Sequence, residues 1–152
     1  MAKLTVTCTC TQSYIEFLKC LINSINKNCT NIHLTVRLIN VDTYTLNSVN
    51  DLYKNIEIIN DRSAFSTVRN KPRCDDIPIH KLGSKYLISD EMCYAMQSKY
   101  TNMTMLLDRG DPYIFLTDVD AIVRKDLLDL QQLIALSDIS IRHNDGLTKD
   151  GF

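Results

Sequence analysis

The first sixty residues alternate between the hydrophobic periods of strands and of helices. Residues 3–9 are β-branched and apolar, which predicts a strand, and residues 14–25 carry apolar side chains at intervals of three and four, which predicts a helix. Residues 32–41 and 56–60 predict a second and a third strand, with a short helix near residues 46–53 between them. The predicted order is therefore β, α, β, α, β.

A long segment without periodicity follows. Residues 61–79 contain two of the three prolines and a basic cluster, which predicts a surface loop. Residues 82–107 are helical in character, with a break expected near residues 99–102. Further along, Asp126 is placed to cap a helix whose apolar residues extend to 136, and residues 139–142 predict one more strand.

An unbroken apolar run, Tyr-Ile-Phe-Leu, occupies residues 113–116 behind Pro112. Such a run is typical of a parallel strand buried on both faces, so we expect a central strand that is nearly inaccessible to solvent. Strands and helices that alternate with short connections favour a parallel sheet covered by helices on both faces. The predicted fold class is therefore α/β.

Two aspartates, Asp118 and Asp120, follow this run. Because side chains alternate across a strand, their spacing aims both carboxylates to the same side, at the carboxyl end of the strand where α/β sheets bind ligands. At about 4 Å the two charges repel by roughly 1 kcal/mol in water and about 4 kcal/mol at an effective dielectric of 20. A hard divalent cation relieves this repulsion. The other interpretation is that the two aspartates cap a turn. However, residues 121–123 are again apolar, and a solvent-exposed turn does not need apolar residues.

Composition and charge exclude several classes of function. The 152 residues are 45% hydrophobic and 23% charged, which describes one soluble globular domain. The net charge of −1 offers no surface for nucleic acid. No apolar run approaches a membrane span and no signal-peptide pattern is present, so we expect a cytoplasmic protein. The six cysteines lack metal-ligand spacing, and the four glycines form neither GxGxxG nor GxxxxGK[ST].

The segment from Asp118 to Leu127, Asp-Val-Asp-Ala-Ile-Val-Arg-Lys-Asp-Leu, resembles the Asp-x-Asp signature of glycosyltransferases with the GT-A fold. The resemblance covers residues 84–145 by pattern and residues 3–61 by the order of strands and helices. It implies a Rossmann-like, three-layer α/β/α fold with a mainly parallel sheet, of the nucleotide-diphospho-sugar transferase type.

The resemblance also implies a ligand, a cofactor and a set of site residues. The ligand is a nucleotide-diphosphate sugar, and the cofactor is Mn²⁺ or Mg²⁺ held by Asp118 and Asp120, with Asp120 as the direct ligand. A basic residue on the preceding helix belongs near the nucleotide, and two strand ends line the base pocket. The nucleotide-sugar-binding residues implied in this way are Thr9, Thr11, Asp61, Lys99 and Asp118.

Alternatives from other classes stay open. Haloacid-dehalogenase-like phosphatases also place Asp-x-Asp at a strand end, with the first aspartate as nucleophile, but their motif lies on the first strand and is followed by glycine and threonine. The other alternative is a non-catalytic nucleotide-sugar-binding remnant, because residues 1–152 are expected to form one domain truncated before the acceptor-binding strands. The sheet edge left open by such a truncation predicts a homodimer.

Overall fold

A parallel sheet is the frame of the structure, a computed structural model that describes residues 4–63, 71–72, 87–88 and 90–134. The predicted strand at 139–142 and most of the predicted loop at 61–79 lie outside these residues. In chain order the elements are β1 (Leu4–Thr11), a 3-10 turn (Gln12–Tyr14), α1 (Ile15–Asn28), β2 (Ile32–Ile39), α2 (Thr43–Asn50), β3 (Ile56–Asp61), β4 (Lys71–Pro72), β5 (Leu87–Ile88), α3 (Asp90–Asp108), β6 (Tyr113–Leu116) and α4 (Leu128–Ile134).

The main sheet has the strand order β3-β2-β1-β6, and all of its pairings are parallel. The short strands β4 and β5 form a separate antiparallel pair. Parallel strands with helices between them confirm the predicted α/β class and its mainly parallel sheet. None of the helices in the described ranges is long and apolar enough to cross a membrane.

One face of the sheet carries the hydrophobic core. Alternate side chains of β1 and β2 are fully buried there against α1. Each large apolar side chain buried in this way contributes about 1.5–3 kcal/mol. Cys8 and Cys10 belong to this layer, and burial raises the pKa of the Cys10 thiol to about 12, so it stays protonated at neutral pH. Both cysteines are therefore packed in the core as small hydrophobic residues. The layer includes Leu4, Val6, Leu18, Leu21, Ile22, Ile25, Leu34 and Val36.

The opposite face of the sheet is polar, and α3 covers it. Every second residue of β1 is a threonine that is buried on this face. β2 contributes Thr35 and Arg37, which are in register with Thr7 and Thr9. The helix α3 turns Ala95, Ser98, Asn102 and Leu106 into the interface at intervals of three and four. Because this interface is rich in polar groups, hydrogen bonds determine how α3 sits on the sheet.

Two sequence-based predictions about these elements are wrong. The helix predicted from residue 82 begins at Asp90 and runs unbroken to Asp108, while residues 87–88 form β5. The strand predicted to be central, β6, pairs only with β1 among the described strands, and its four side chains are only half-buried. An apolar run indicates that a strand favours burial, but it determines neither how completely the faces are covered nor how many strands pair with it. The homodimer that an open edge would favour stays a prediction.

Candidate functional site

A pocket of about 360 Å³ opens at the carboxyl ends of β1 and β6. This volume falls within the range of roughly 300–1,000 Å³ that is usual for small-molecule sites. Three parts of the chain form its walls: the end of β1 with the turn after it, the first half of α3, and the segment after β6. The lining residues are Thr9, Thr11, Tyr14, Met92, Ala95, Met96, Lys99, Asp118, Val119 and Asp120.

The structure brings Asp118 and Asp120 to this pocket, but not along a strand. β6 ends at Leu116, and the two aspartates belong to a turn in which the Ala121 amide donates to the Asp118 carbonyl oxygen at 3.3 Å. The argument from strand alternation is therefore wrong. The two carboxylates nevertheless line the same pocket, because Val119 between them is buried in the core while both aspartates are exposed.

The segment that carries the aspartates is fixed to α1 on its far side. The Val123 amide donates to Ser24 Oγ at 3.0 Å, and Asn28 Nδ2 donates to the Val123 carbonyl oxygen at 2.7 Å. Three residues later, Asp126 Oδ1 accepts from the Leu128 amide at 3.0 Å, which confirms the predicted cap at the start of α4. On the near side, the Thr117 amide continues the pairing with β1 by donating to the Thr7 carbonyl oxygen at 3.0 Å. The turn between these anchors is therefore held from both ends.

Lys99 belongs to α3 and lies across the pocket from the two aspartates. Its Nζ atom donates to Asp118 Oδ1, and the two form an ion pair in which the Lys99 side chain is 25% exposed and the Asp118 side chain is 67% exposed. The sequence-based prediction placed Lys99 and Asp118 in one site, and the structure brings the two side chains into contact there.

A buried polar network holds α3 and therefore Lys99 in place. Asn102 lies three residues after Lys99 and is completely buried; its Oδ1 atom accepts from Arg37 Nε at 2.6 Å. Arg37 Nη1 in turn contacts Asp61 Oδ2 at 2.7 Å. The network therefore links β2, β3 and α3 immediately beside the pocket.

Asp61, which the resemblance places in the base pocket, is engaged by this network. Its carboxylate accepts hydrogen bonds from Arg37, from Tyr94 at 2.9 Å and from Ser63 at 2.6 Å. Burial raises the pKa of Asp61, but hydrogen bonds from Ser63, Arg37 and Tyr94 outweigh it, so the pKa lies below its usual value. Asp61 does not line the pocket that holds the other predicted residues. Its contact with a nucleotide stays a prediction.

Thr9 and Thr11 reach the pocket from the end of β1. The Thr11 hydroxyl lies 3.1 Å from the Ser13 hydroxyl and forms a hydrogen bond with it. Thr9 is 4% exposed, and its hydroxyl oxygen finds no hydrogen-bond partner within the described part of the chain. An unpaired buried polar group costs about 1–3 kcal/mol, so this hydroxyl lowers the stability of the folded chain.

The donor set of the pocket suits a hard divalent cation. Asp118 and Asp120 provide carboxylate oxygens, which Mg²⁺ and Mn²⁺ prefer over nitrogen and sulfur ligands. Within residues 4–63, 71–72, 87–88 and 90–134, no three His, Cys, Asp or Glu side chains are arranged to share a metal ion. The aspartates therefore fit a cation that is bound by one or two carboxylates and completes its shell with ligand phosphates and water, as Mg²⁺ commonly does.

Several residues of the site were missed by the sequence reasoning, although the sequence contains signals for them. Counting back from Lys99 by three, four and seven residues gives the part of α3 that lines the pocket: Met96, Ala95 and Met92. Arg37 is the one lysine or arginine within the buried strand β2, and a charge in that position needs a partner. Tyr14 belongs to the apolar stripe predicted for the first helix, and no further pattern in the sequence marks it as a pocket residue.

Comparisons with known proteins give a distant structural likeness. No protein-family model matches the chain, and no curated protein matches its sequence. Among solved structures, the galactosyltransferase LgtC, crystallised in complex with donor and acceptor sugar analogues, aligns with a TM-score of 0.47 and 15% sequence identity. The alignment covers 83% of this chain and 41% of LgtC, so the chain spans about two fifths of the length of that protein.

Proposed function

We propose that the chain is a glycosyltransferase-like domain of the GT-A type. It binds a nucleotide-diphosphate sugar together with Mn²⁺ or Mg²⁺ for transfer of the sugar to an acceptor. The observation that carries this proposal is the convergence of Asp118, Asp120 and Lys99 in one pocket at the carboxyl end of a parallel sheet. Two carboxylates and an ammonium group together suit a ligand that is both phosphorylated and metal-bound.

Each group has a place in this proposal. Asp120 and Asp118 hold the cation, which, when bound, stabilises the negative charge that develops on the diphosphate leaving group. Lys99 donates to phosphate oxygens, for which its three ammonium protons are suited. Thr9 and Thr11, which both line the pocket, orient the nucleoside. Met92, Met96 and Tyr14 supply the apolar surface on which a base or sugar ring can rest.

The phosphatase alternative gains little from the geometry. It requires a nucleophilic aspartate at the end of the first strand, whereas β1 ends with Thr9 and Thr11, and Asp118 follows β6. Asp118 is also paired with Lys99. In the glycosyltransferase-like interpretation, both members of this ion pair have a role. The metal binds the Asp118 carboxylate, and the Lys99 ammonium group binds a phosphate of the ligand.

Calorimetry and thermal unfolding with uridine or guanosine diphosphate test the proposal. We expect binding that depends on Mn²⁺ or Mg²⁺ and stabilises the folded chain by about 2.7 kcal/mol when the nucleotide is present at 100 times its dissociation constant. Asp120→Ala should abolish metal-dependent binding. The same substitution should leave the stability of the metal-free protein unchanged or slightly higher, because it removes one of two neighbouring like charges.

Asp108→Ala is the matched control for this experiment. Asp108 is exposed at the end of α3 and does not line the pocket, so its removal should leave nucleotide binding unchanged. The proposal is wrong if Asp120→Ala binds the nucleotide as tightly as the wild type does. It is equally wrong if wild-type binding is the same with Mn²⁺ and with a chelator.

A further inference from the structure

The ion pair between Lys99 and Asp118 places a protein cation where the proposed metal site has one of its two carboxylates. An ammonium group and a divalent ion that lie against the same carboxylate repel each other, so each weakens the binding of the other. The residues that would bind the metal are thus already partly neutralised by the chain itself.

We propose that Lys99 acts as an internal competitor of the divalent metal: it holds Asp118 until a diphosphate draws its ammonium group away and leaves the carboxylate to the metal. This inference rests on the proposed function, and it adds that binding of the metal depends on binding of the diphosphate. Metal alone binds weakly, and metal together with a diphosphate binds well.

The structure supports a movement of the Lys99 side chain without a movement of the helix. The backbone of α3 is fixed one turn further along by buried Asn102, which is bound to Arg37 at 2.6 Å. The lysine stem is flexible and its ammonium protons are not tied to one geometry, so Nζ can exchange a carboxylate for a phosphate. Asp118 is 67% exposed, so its oxygens become accessible to a hydrated ion as soon as Lys99 leaves.

Coupling of this kind is reciprocal, because a ligand that raises the affinity for a second ligand has its own affinity raised by the same factor. A direct bond between metal and diphosphate also produces coupling. The contribution of Lys99 is therefore measured where no diphosphate is present, as the affinity of the protein for the metal alone.

The test is titration of Mn²⁺ alone, with free Mn²⁺ followed by electron paramagnetic resonance. We compare the wild type with Lys99→Met and Lys99→Gln, which remove the charge, and with Lys99→Arg, which keeps it. We expect Mn²⁺ to bind the two neutral variants about tenfold more tightly than the wild type, a difference of about 1.4 kcal/mol. Lys99→Arg should bind Mn²⁺ as the wild type does. With Mn²⁺ saturating, uridine diphosphate should bind the neutral variants more weakly, since the phosphate loses its ammonium partner.

Lys19→Met is the matched control, because Lys19 forms a comparable ion pair with Glu16 at 2.7 Å on the surface of α1 and does not line the pocket. It should leave Mn²⁺ affinity unchanged, and thermal unfolding establishes that each variant is folded. If the neutral Lys99 variants bind Mn²⁺ no more tightly than the wild type, while Asp120→Ala abolishes binding, the inference is overturned and the proposed function stands. If Mn²⁺ binds neither wild type nor variants, with or without uridine diphosphate, both are overturned.

Discussion

Replacing Arg37 by methionine should strongly destabilise the folded chain. Arg37 lies in β2 beneath α3, its side chain is 14% exposed, and it connects Asp61 with Asn102. Methionine fills a similar volume but makes neither hydrogen bond. The substitution leaves the Asp61 carboxylate, whose side chain is 10% exposed, with hydrogen bonds from Tyr94 and Ser63 but without a counter-charge from the described part of the chain.

The expected loss of unfolding free energy is about 3–4 kcal/mol at neutral pH. Removing one partner of a buried ion pair typically costs about 3–5 kcal/mol, because it leaves an uncompensated charge. The two remaining hydrogen bonds to Asp61 offset part of this cost. Adding Asp61→Asn to Arg37→Met should recover a substantial part of the loss, since the second substitution removes the orphaned charge.

Urea denaturation followed by circular dichroism, at about pH 7 and about pH 4, measures this effect and its pH dependence. In the wild type, the pKa of Asp61 is lowered, so its contribution to stability is present above the unfolded pKa of about 4 and is lost as the pH falls through the folded value. Without Arg37 the pKa of Asp61 should rise. Protonation of Asp61 at low pH then removes the uncompensated charge, and with it part of the variant's loss of stability. The difference between variant and wild type should therefore shrink towards pH 4.

Arg109→Met is the control for the same change of residue at an exposed position. The Arg109 side chain is 39% exposed and pairs with Asp111 and Glu57, and exposed pairs contribute no more than about 1 kcal/mol. A loss below about 1 kcal/mol for Arg37→Met, or an equal loss at both pH values, would refute the assignment of a buried charge network beneath α3.

Two further predictions concern the ends of β1 and β2. Thr9→Val should leave the unfolding free energy unchanged or raise it by up to about 1 kcal/mol, because the hydroxyl that it removes is buried without a partner among the described residues. Urea denaturation measures this, and a clear loss of stability would contradict it. Asp42→Ala should lower the melting temperature at neutral pH, since the Thr45 amide donates to Asp42 at 2.8 Å and this hydrogen bond lowers the pKa of the carboxyl group. The folded pKa is the lower one, so this difference should disappear as the pH falls below about 4, and a difference that persists in acid would contradict the role of the cap.

The elements that the sequence predicted well are those with a clear hydrophobic period. β1, α1 and β2 lie within three residues of their predicted bounds, because alternating or three-and-four-residue patterns depend only on which side chains face the core. The helix prediction was wrong at residues 87–88 because these residues have no clear hydrophobic period. Two apolar residues fit the start of a helix as well as a strand, and the pairing with residues 71–72 that makes them a strand is not visible locally.

The candidate site shows the same division. Asp118, Asp120, Lys99, Thr9 and Thr11 were selected from the sequence and line one pocket. Asp61 was selected by the same resemblance and does not. A carboxylate at a strand end can face a ligand or a protein cation, and the choice depends on which residues lie on neighbouring elements.

The polar layer beneath α3 explains why this choice is invisible to a hydrophobic pattern. Burial of apolar surface is nearly non-directional, so a pattern of apolar positions predicts which face of a helix packs but not how far it slides along the sheet. Hydrogen bonds require specific distances and angles. Asn102 meets Arg37 at 2.6 Å, and this contact, made between residues 65 positions apart, fixes the register of α3 on the sheet. Lys99 lies one turn away from it, so its approach to Asp118 is a consequence of a polar contact that only the folded structure reveals.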